Sequence, residues 1–376
     1  MKVLIDNSNL FAGGGLQVSF SFLRDLRRLQ LAWEWHIVQS VKCAENFDES
    51  TFPSNFTFYN LRKAEEISKR KRISSVKYLE NNIQPDCIFT LFGPSYHKSK
   101  FPKIVGFALP YILYPDSPFF KQIGFKEKIY YKLLSILKTY SFKKYSDTLI
   151  FETEDAKTIF TNKANYTKDS FVVGNTLNEI FFAKEKFIEL KITDSTSLNI
   201  LFLTANYAHK NMQILPAVIK VLRNKKHLKD FKFLITLDKA ELNFPISCDE
   251  NIIYLGKVGL EKIPALYSNS DMVFIPTLLE VFSATYLEAM FMKKPIVASD
   301  LGFSREICGD AALFCNPTNA EAYANAIFEI FHNEKLRKEL IGKGTENLKR
   351  FGTSMDRTNA YISIIKNIIT KNENTK

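Results

Sequence analysis

Two glutamates eight residues apart, Glu280 and Glu288, stand in the run Pro276-Thr-Leu-Leu-Glu280-Val-Phe-Ser283-Ala-Thr-Tyr-Leu-Glu288-Ala-Met290. Ser283 is a good N-cap, and the residues from Ala284 to Met292 are good helix formers with apolar side chains at Leu287, Met290 and Phe291. The pattern therefore predicts a helix that starts at Ser283. Glu280 then lies in the loop before it, and Glu288 sits about one and a half turns inside. Glu288 is flanked by Leu287 and Ala289, and a carboxylate in so apolar a helix is costly without donors. Ligand hydroxyls are suitable donors. At the helix start, the free backbone N–H groups of residues 283 to 285 suit an anion such as a diphosphate.

A second group precedes these glutamates. The apolar run Leu198 to Thr204 leads into Ala205-Asn-Tyr-Ala-His209-Lys210-Asn211, and a helix-like run follows to Leu222. A lysine between a strand and a helix is well placed to meet a diphosphate, and His209 is placed to orient Lys210 or to touch a phosphate. Near the N-terminus, Asn7-Ser-Asn-Leu-Phe-Ala-Gly13-Gly14-Gly15-Leu16-Gln17 follows the first apolar run. Three glycines permit a tight turn, but the spacing is neither G-x-G-x-x-G nor a P-loop, which argues against nicotinamide chemistry and ATP hydrolysis. No Asp-x-Asp occurs, and no metal or other cofactor is expected. Stabilisation of a departing anion then falls to Lys210 and the amides at the start of the Ser283 helix.

The elements that position these groups can be read from the whole chain. It has 376 residues, 46% hydrophobic and 24% charged, a length that favours two domains. Short apolar runs alternate with helix-like stretches, the pattern of βα units in parallel sheets. Strands are predicted at 2–5, 35–39, 56–59, 86–91, 104–108, 148–151 and 171–173, then at 199–204, 231–237, 252–255, 272–275, 295–298 and 312–314. This gives an α/β chain with a Rossmann-like domain over 1–175, a linker over 176–197, a second Rossmann-like domain over 198–353, and a terminal helix and tail over 354–376 whose side stays open. Two doubly wound domains leave a central cleft facing the carboxyl ends of their strands, where such folds bind ligands.

A net charge of +11 suits an anionic partner. Without an RRM-like aromatic signature, a zinc finger or a basic recognition helix, nucleic acid is set aside. The five cysteines form an odd set with no C-x-x-C, as expected in a reducing compartment. The opening Met-Lys-Val-Leu-Ile-Asp is too short an apolar run for a signal peptide, and no stretch reaches the roughly 18 apolar residues of a bilayer span. The expected location is cytoplasmic.

The stretch from Pro276 to Pro317 resembles the C-terminal half of the large retaining GT-B glycosyltransferase family usually called family 4. Its Glu-x7-Glu, Ala-Met, Pro-Val-Val-like strand and Glu-x-x-Gly-Asp-Ala-Ala element appear here as Glu280 to Glu288, Ala289-Met290, Pro295-Ile-Val and Glu306-Ile-Cys-Gly309-Asp-Ala-Ala312, followed by Asn316-Pro317. The resemblance implies a GT-B fold and transfer of a hexose-type sugar, with retention, from a UDP- or GDP-sugar. It gives Glu280 a contact with the donor sugar, Glu288 the ribose hydroxyls and Lys210 the diphosphate, with Phe282, Ser283, Ala284 and Thr285 beside them. Gly14 and Gly15 would face the diphosphate and Gln17 the acceptor. A histidine near the donor sugar is common in the family; His97 is the candidate, although a satisfied surface histidine is the plainer reading, and His36, His227 and His332 look structural. The usual Glu-Gly-Phe-Gly reads Glu280-Val-Phe-Ser283, the usual proline is Thr285, and Thr204 replaces a common arginine. These departures point to a differently shaped donor pocket.

Between Lys121 and Lys144, seven lysines face the single Glu127 and alternate with aromatic residues, while Ile129, Tyr130, Leu133, Leu134 and Leu137 recur at helical spacing. Such a helix suits an anionic membrane surface, and a core-facing helix with a solvated lysine face fits equally. Peripheral contact with the inner face of the cytoplasmic membrane would serve an acceptor carried on a polyprenyl diphosphate. A glycan acceptor in surface polysaccharide assembly is the other form expected. Two alternatives remain: a nucleotide-sugar 2-epimerase of the same fold, and a non-catalytic nucleotide-sugar-binding or membrane scaffold protein.

Overall fold

The computed structural model describes residues 1–183, 187–188 and 198–374. The chain forms two compact units: Met1–Leu113, Ile129–Asn175 and Gly352–Lys376 make unit 1, and Tyr114–Lys128 with Thr176–Phe351 make unit 2.

In unit 1, β1 (Lys2–Asn7), β2 (Glu34–Gln39), β3 (Phe56–Asn60), β4 (Cys87–Thr90), β5 (Lys103–Phe107), β6 (Thr148–Phe151) and β7 (Asp169–Val172) form one sheet in the order β3-β2-β1-β4-β5-β6-β7. Every pairing is parallel; Ile5, for example, lies opposite Ile37 on one side and Phe89 on the other. A parallel sheet is covered on both faces, which is why β1 reads Val3-Leu4-Ile5 with no exposure at any of the three. The helix Gly14–Leu29 adds Val18, Phe22, Leu23 and Leu26 to the core, and the last helix, Ser354–Glu373, adds Tyr361, Ile364, Ile365, Ile368 and Ile369 to the same cluster. Phe22 meets Phe89 and Tyr361 edge-on, with ring centres 5.6 and 5.4 Å apart. The terminal helix thus belongs to unit 1. Its Arg357 donates to Asn175 Oδ1 at 2.5 Å and also to Ser21 Oγ.

In unit 2, β8 (Leu198–Phe202), β9 (Phe231–Ile235), β10 (Ile252–Tyr254), β11 (Met272–Ile275), β12 (Ile296–Ser299) and β13 (Ala312–Cys315) run in the order β10-β9-β8-β11-β12-β13, again all parallel. One face packs Val218, Ile219 and Leu222 with Tyr323, Ile327 and Ile330, and the other packs Leu266, Tyr267, Leu287 and Ile307.

Two features depart from the expected boundaries. Residues 114–128 cluster with unit 2, so the N-terminal domain does not run unbroken to 175. The described start of the expected linker is core rather than connection: Leu177 and Phe181 are buried in unit 2, with the Phe181 ring 5.8 Å from that of Tyr267. Most of the remaining linker, 184–186 and 189–197, lies outside the described residues.

Candidate functional site

In unit 2 the chain leaves β8 for β9 and β10 on one side and returns as β11 on the other. The carboxyl ends of β8 and β11 therefore flank the topological switch point, where open α/β sheets take their ligands. The His209-Lys210 loop leaves β8 and the Glu280 loop leaves β11, so two groups far apart in sequence emerge side by side.

Their loops are tied by backbone. Leu278 N–H donates to His209 O at 2.7 Å, and Leu278 O accepts from Ser117 Oγ at 2.6 Å. Lys210 closes the short turn Ala208–Lys210, and Asn211 follows in the left-handed region, φ 59°, which asparagine tolerates better than most residues. Asn211 is buried; its Nδ2 donates to Pro317 O at 3.0 Å and its Oδ1 accepts from Gln122 at 2.8 Å. With this turn clamped, Lys210 Nζ lies 2.5 Å from Glu280 Oε1, and His209 Nε2 lies 3.7 Å from the same oxygen. The His209 ring stacks on Tyr207. Burial pushes the Glu280 carboxyl up, but Lys210 and His209 outweigh it, and the net displacement is below the ordinary value. Glu280 is thus an anion at neutral pH beside a cation, both partly open to solvent.

Ser283 is the N-cap of the helix Ala284–Phe291, with extended backbone and no capping bond from its side chain. The first-turn amides lie at this end, beside the half-exposed Ala284 and Thr285. Phe282 points elsewhere: it is buried in the unit 2 core with its ring 6.0 Å from that of Phe351, so only its backbone is available to a ligand. Glu288 is buried, 8% exposed. Its Oε2 accepts from the Tyr267 hydroxyl at 2.7 Å. Burial drives this carboxyl up to about 7, against the opposing pull of Tyr267 and Lys210. The two glutamates therefore have opposite electrostatics: one is held ionised, and the other titrates near neutrality.

Residues 197–333, which contain all of these side chains except Ser117 and Gln122, match the sequence profile of the family described as "Glycosyl transferases group 1". The O-antigen chain mannosyltransferase of Salmonella typhimurium is 24% identical over 223 residues, 57% of this chain and 58% of that protein. The match thus spans little more than half the length of this curated relative. Sucrose-phosphate synthase from Thermosynechococcus elongatus superposes with a TM-score of 0.75 over 98% of this chain and 99% of its own, at 14% identity. HepE from Anabaena, solved with UDP-glucose, gives 0.70 over 98% and 100%, at 12% identity. The chain is a GT-B-fold, family-4-like relative of the group 1 glycosyltransferases. The two structural likenesses speak to fold alone.

In this group 1 relative the triple-glycine turn lies at the carboxyl end of β1, within unit 1. The glycine that conformation requires is Gly13, with φ 73° ahead of the helix Gly14–Leu29. A Cβ on Gly14 would meet nothing within 4 Å, whereas one on Gly15 would stand 3.3 Å from Leu10 and Phe92. Gly14 and Gln17 are exposed and Gly15 is half-buried.

His97 is not at the surface. It is buried, with Nε2 2.5 Å from Glu80 Oε1 and 2.8 Å from Lys103 Nζ, and Lys103 itself is 2% exposed. A histidine fixed between a buried carboxylate and a buried ammonium has a packing role. His36 pairs with the Tyr59 hydroxyl at 3.0 Å, and His227 occupies a loop with φ 53° rather than a helix. Tyr267 and Asn211 are the site residues that sequence reasoning left unassigned. Tyr267 reads as one more core aromatic, and only its contact with Glu288 distinguishes it. Among the described residues, no group of three or more His, Cys, Asp or Glu could hold a metal ion, and no helix is long and apolar enough to cross a membrane.

Proposed function

We propose that this protein transfers a hexose-type sugar from a nucleoside diphosphate donor, UDP- or GDP-linked, to a glycan or lipid-linked acceptor, with retention of configuration and without a metal. The observation that carries this reading is the convergence of Lys210, Glu280 and the start of the Ala284–Phe291 helix at the β8/β11 switch point, with Glu288 buried behind them. A diphosphate fits between an ammonium and a helix N-terminus. A buried carboxylate that already accepts one hydroxyl hydrogen bond, from Tyr267, has oxygen capacity left for ribose hydroxyls.

In this mechanism the bond between the anomeric carbon and the diphosphate oxygen breaks as the acceptor hydroxyl attacks from the same face. The hydroxyl proton passes to the leaving phosphate. Lys210 and the amides of residues 283–285 stabilise the charge that develops there, and Glu280 positions the sugar. Gly14, Gly15 and Gln17 would present unit 1 to the diphosphate and acceptor. The printed name of the Salmonella relative, an O-antigen chain mannosyltransferase, supports a role in surface polysaccharide assembly at the cytoplasmic side of the membrane.

The test is a panel of UDP, GDP and their hexose conjugates, read first by thermal shift and then by nucleoside diphosphate release. Stabilisation by one nucleotide, together with turnover that Glu280→Ala abolishes while nucleotide binding persists, is the expected result. Full turnover in Glu280→Ala would overturn the mechanism, and no shift with any nucleotide would overturn the donor assignment.

A further inference from the structure

Unit 1 carries a patch that the proposed transfer chemistry does not use. Within the helix Phe125–Tyr145, the half-buried Tyr131, Leu134 and Lys138 and the buried Phe142 share one side. The Tyr131 ring is 5.4 Å from that of Tyr111, and Phe142 is 4.8 Å from Phe107. Around the rest of the helix, Ile129, Leu133, Ile136, Leu137 and Tyr140 fall at i, i+4, i+7, i+8 and i+11, a single stripe. They are 44, 57, 59, 65 and 52% exposed. Scattered exposed apolar side chains are ordinary, but five in a row on one helix mark a contact surface. Lys132, Lys143 and Lys144 are exposed on the same helix.

At the rim of this helix, cations gather from two elements. Lys69 Nζ stands 3.5 Å from the centre of the Tyr96 ring, Arg72 Cζ 5.2 Å from Phe11, and Lys138 Nζ 6.0 Å from Tyr111. Among the described residues none of the three forms an ion pair with a carboxylate. Lys69 and Arg72 belong to the first turn of the helix Lys69–Ile83, which opens Lys-Arg-Lys-Arg with no acidic residue. Positive charge there is the wrong sign for the helix dipole. Burial lowers the proton affinity of Lys138, and Lys69 and Arg72 lower it further. These cations therefore repel one another, and an anion would relieve the repulsion.

We propose that this patch docks the phosphorylated head of a membrane lipid: Lys69, Arg72 and Lys138 hold phosphate or diphosphate oxygens, while the Ile129–Tyr140 stripe enters the acyl boundary of the same leaflet. A helix is only about 10 Å across, so a lipid beside the stripe brings its head to the rim. The inference deepens the glycosyltransferase reading, on which it rests for its meaning, by naming the acceptor's carrier as an amphiphile with an anionic phosphate head.

Vesicle flotation of the full chain tests it. Three vesicles are used: neutral phosphatidylcholine, the same doped with phosphatidylglycerol, and the same doped to equal surface charge with a long-chain prenyl diphosphate. Wild type should ignore the first, bind the second and bind the third more tightly. Leu133→Asp/Leu137→Asp should abolish binding to both anionic vesicles. Lys69→Ala/Arg72→Ala/Lys138→Ala should weaken binding to the prenyl diphosphate vesicles by about a hundredfold, at roughly fivefold per charge. Undiminished binding of the triple variant, or no binding by wild type, overturns the proposal. So does competition by inorganic pyrophosphate as strong as that by the lipid, which would make the site one for free phosphate. A wild-type dimer that the Asp variant renders monomeric would make a second copy the occupant instead. Nucleotide thermal shifts on each variant confirm folding and keep this outcome separate from failure of the donor reading.

Discussion

Replacing Glu288 by glutamine should make the ligand-free protein more stable and the nucleotide site worse. Glu288 has an ordinary value of 4.5, raised in the fold to about 7 chiefly by burial. The gap of roughly 2.5 pH units corresponds, at 1.36 kcal/mol per unit, to about 3 kcal/mol. Below pH 4.5 the carboxyl is neutral in both folded and unfolded chains and carries no such cost. Between 4.5 and 7 the unfolded chain has lost the proton that the folded one keeps, so stability falls as pH rises; above 7 the full penalty is present. Glutamine has the shape of the neutral acid, can still accept from the Tyr267 hydroxyl, and does not titrate. Urea unfolding of the full-length proteins from pH 4.5 to 8 should therefore show a stability difference that grows with pH to about 3 kcal/mol in favour of Glu288→Gln. The only tryptophans are Trp33 and Trp35, both in unit 1, so circular dichroism beside tryptophan fluorescence locates the change. The dichroism midpoint should move, and where the units unfold separately the fluorescence midpoint should stay. A difference independent of pH, or a wild type that is the more stable at pH 8, would refute the claim that this carboxylate is ionised at a cost.

The same titration should appear in binding. If Glu288 accepts ribose hydroxyls as a carboxylate, affinity for the preferred nucleotide should fall by up to about tenfold per pH unit below 7, with proton release on binding detectable by calorimetry in different buffers; Glu288→Gln should bind more weakly and without that slope. Lys210→Met should reduce turnover by roughly 10²- to 10³-fold and leave Glu280 an unpaired, partly buried anion. Adding Glu280→Gln should recover stability but not turnover, and recovered turnover would remove Lys210 from the chemistry. Gly14→Ala, with no neighbour within 4 Å of the new Cβ, should fold normally and lose transfer activity only if this backbone meets ligand. Gly106→Ala would place its Cβ 1.9 Å from Leu91 O and should fail to give soluble protein; equal thermal stability of the two variants would contradict the packing described.

The strands were legible because a doubly covered parallel sheet leaves its strands as continuous apolar runs, and each predicted strand recurs within two residues of its bounds. The helix start at Ser283 was legible from one capping residue and the helix formers after it. Which unit a connection joins was not, because local periodicity does not say against which sheet a segment packs: 114–128 and the start of the expected linker both join unit 2. His97 was misread for a related reason. Gly93-Pro-Ser-Tyr reads as a surface loop, and nothing in sequence links it to Glu80 or Lys103, which bury it. Tyr267 is 21 residues from Glu288, with no intervening pattern to join them.

The glycines missing around Glu280 have a physical consequence narrower than the sequence suggests. Glycine serves a turn either by adopting positive φ or by leaving room. Ser283 has φ −131° and ψ 122°, a conformation open to any residue, and no residue from 280 to 285 has positive φ. The turn is therefore not strained by valine and serine, and what has been given up is space. Val281 is 3% exposed, so its side chain fills unit 2 and leaves the ligand side clear. Ser283 has a hydroxyl that makes no capping bond, at the end of the helix where an anion is favoured. In the proposed donor site that hydroxyl adds a donor where the common pattern offers only backbone. With threonine at 204 in place of a common arginine, a neutral donor at 283 would supply part of the stabilisation that the absent cation does not.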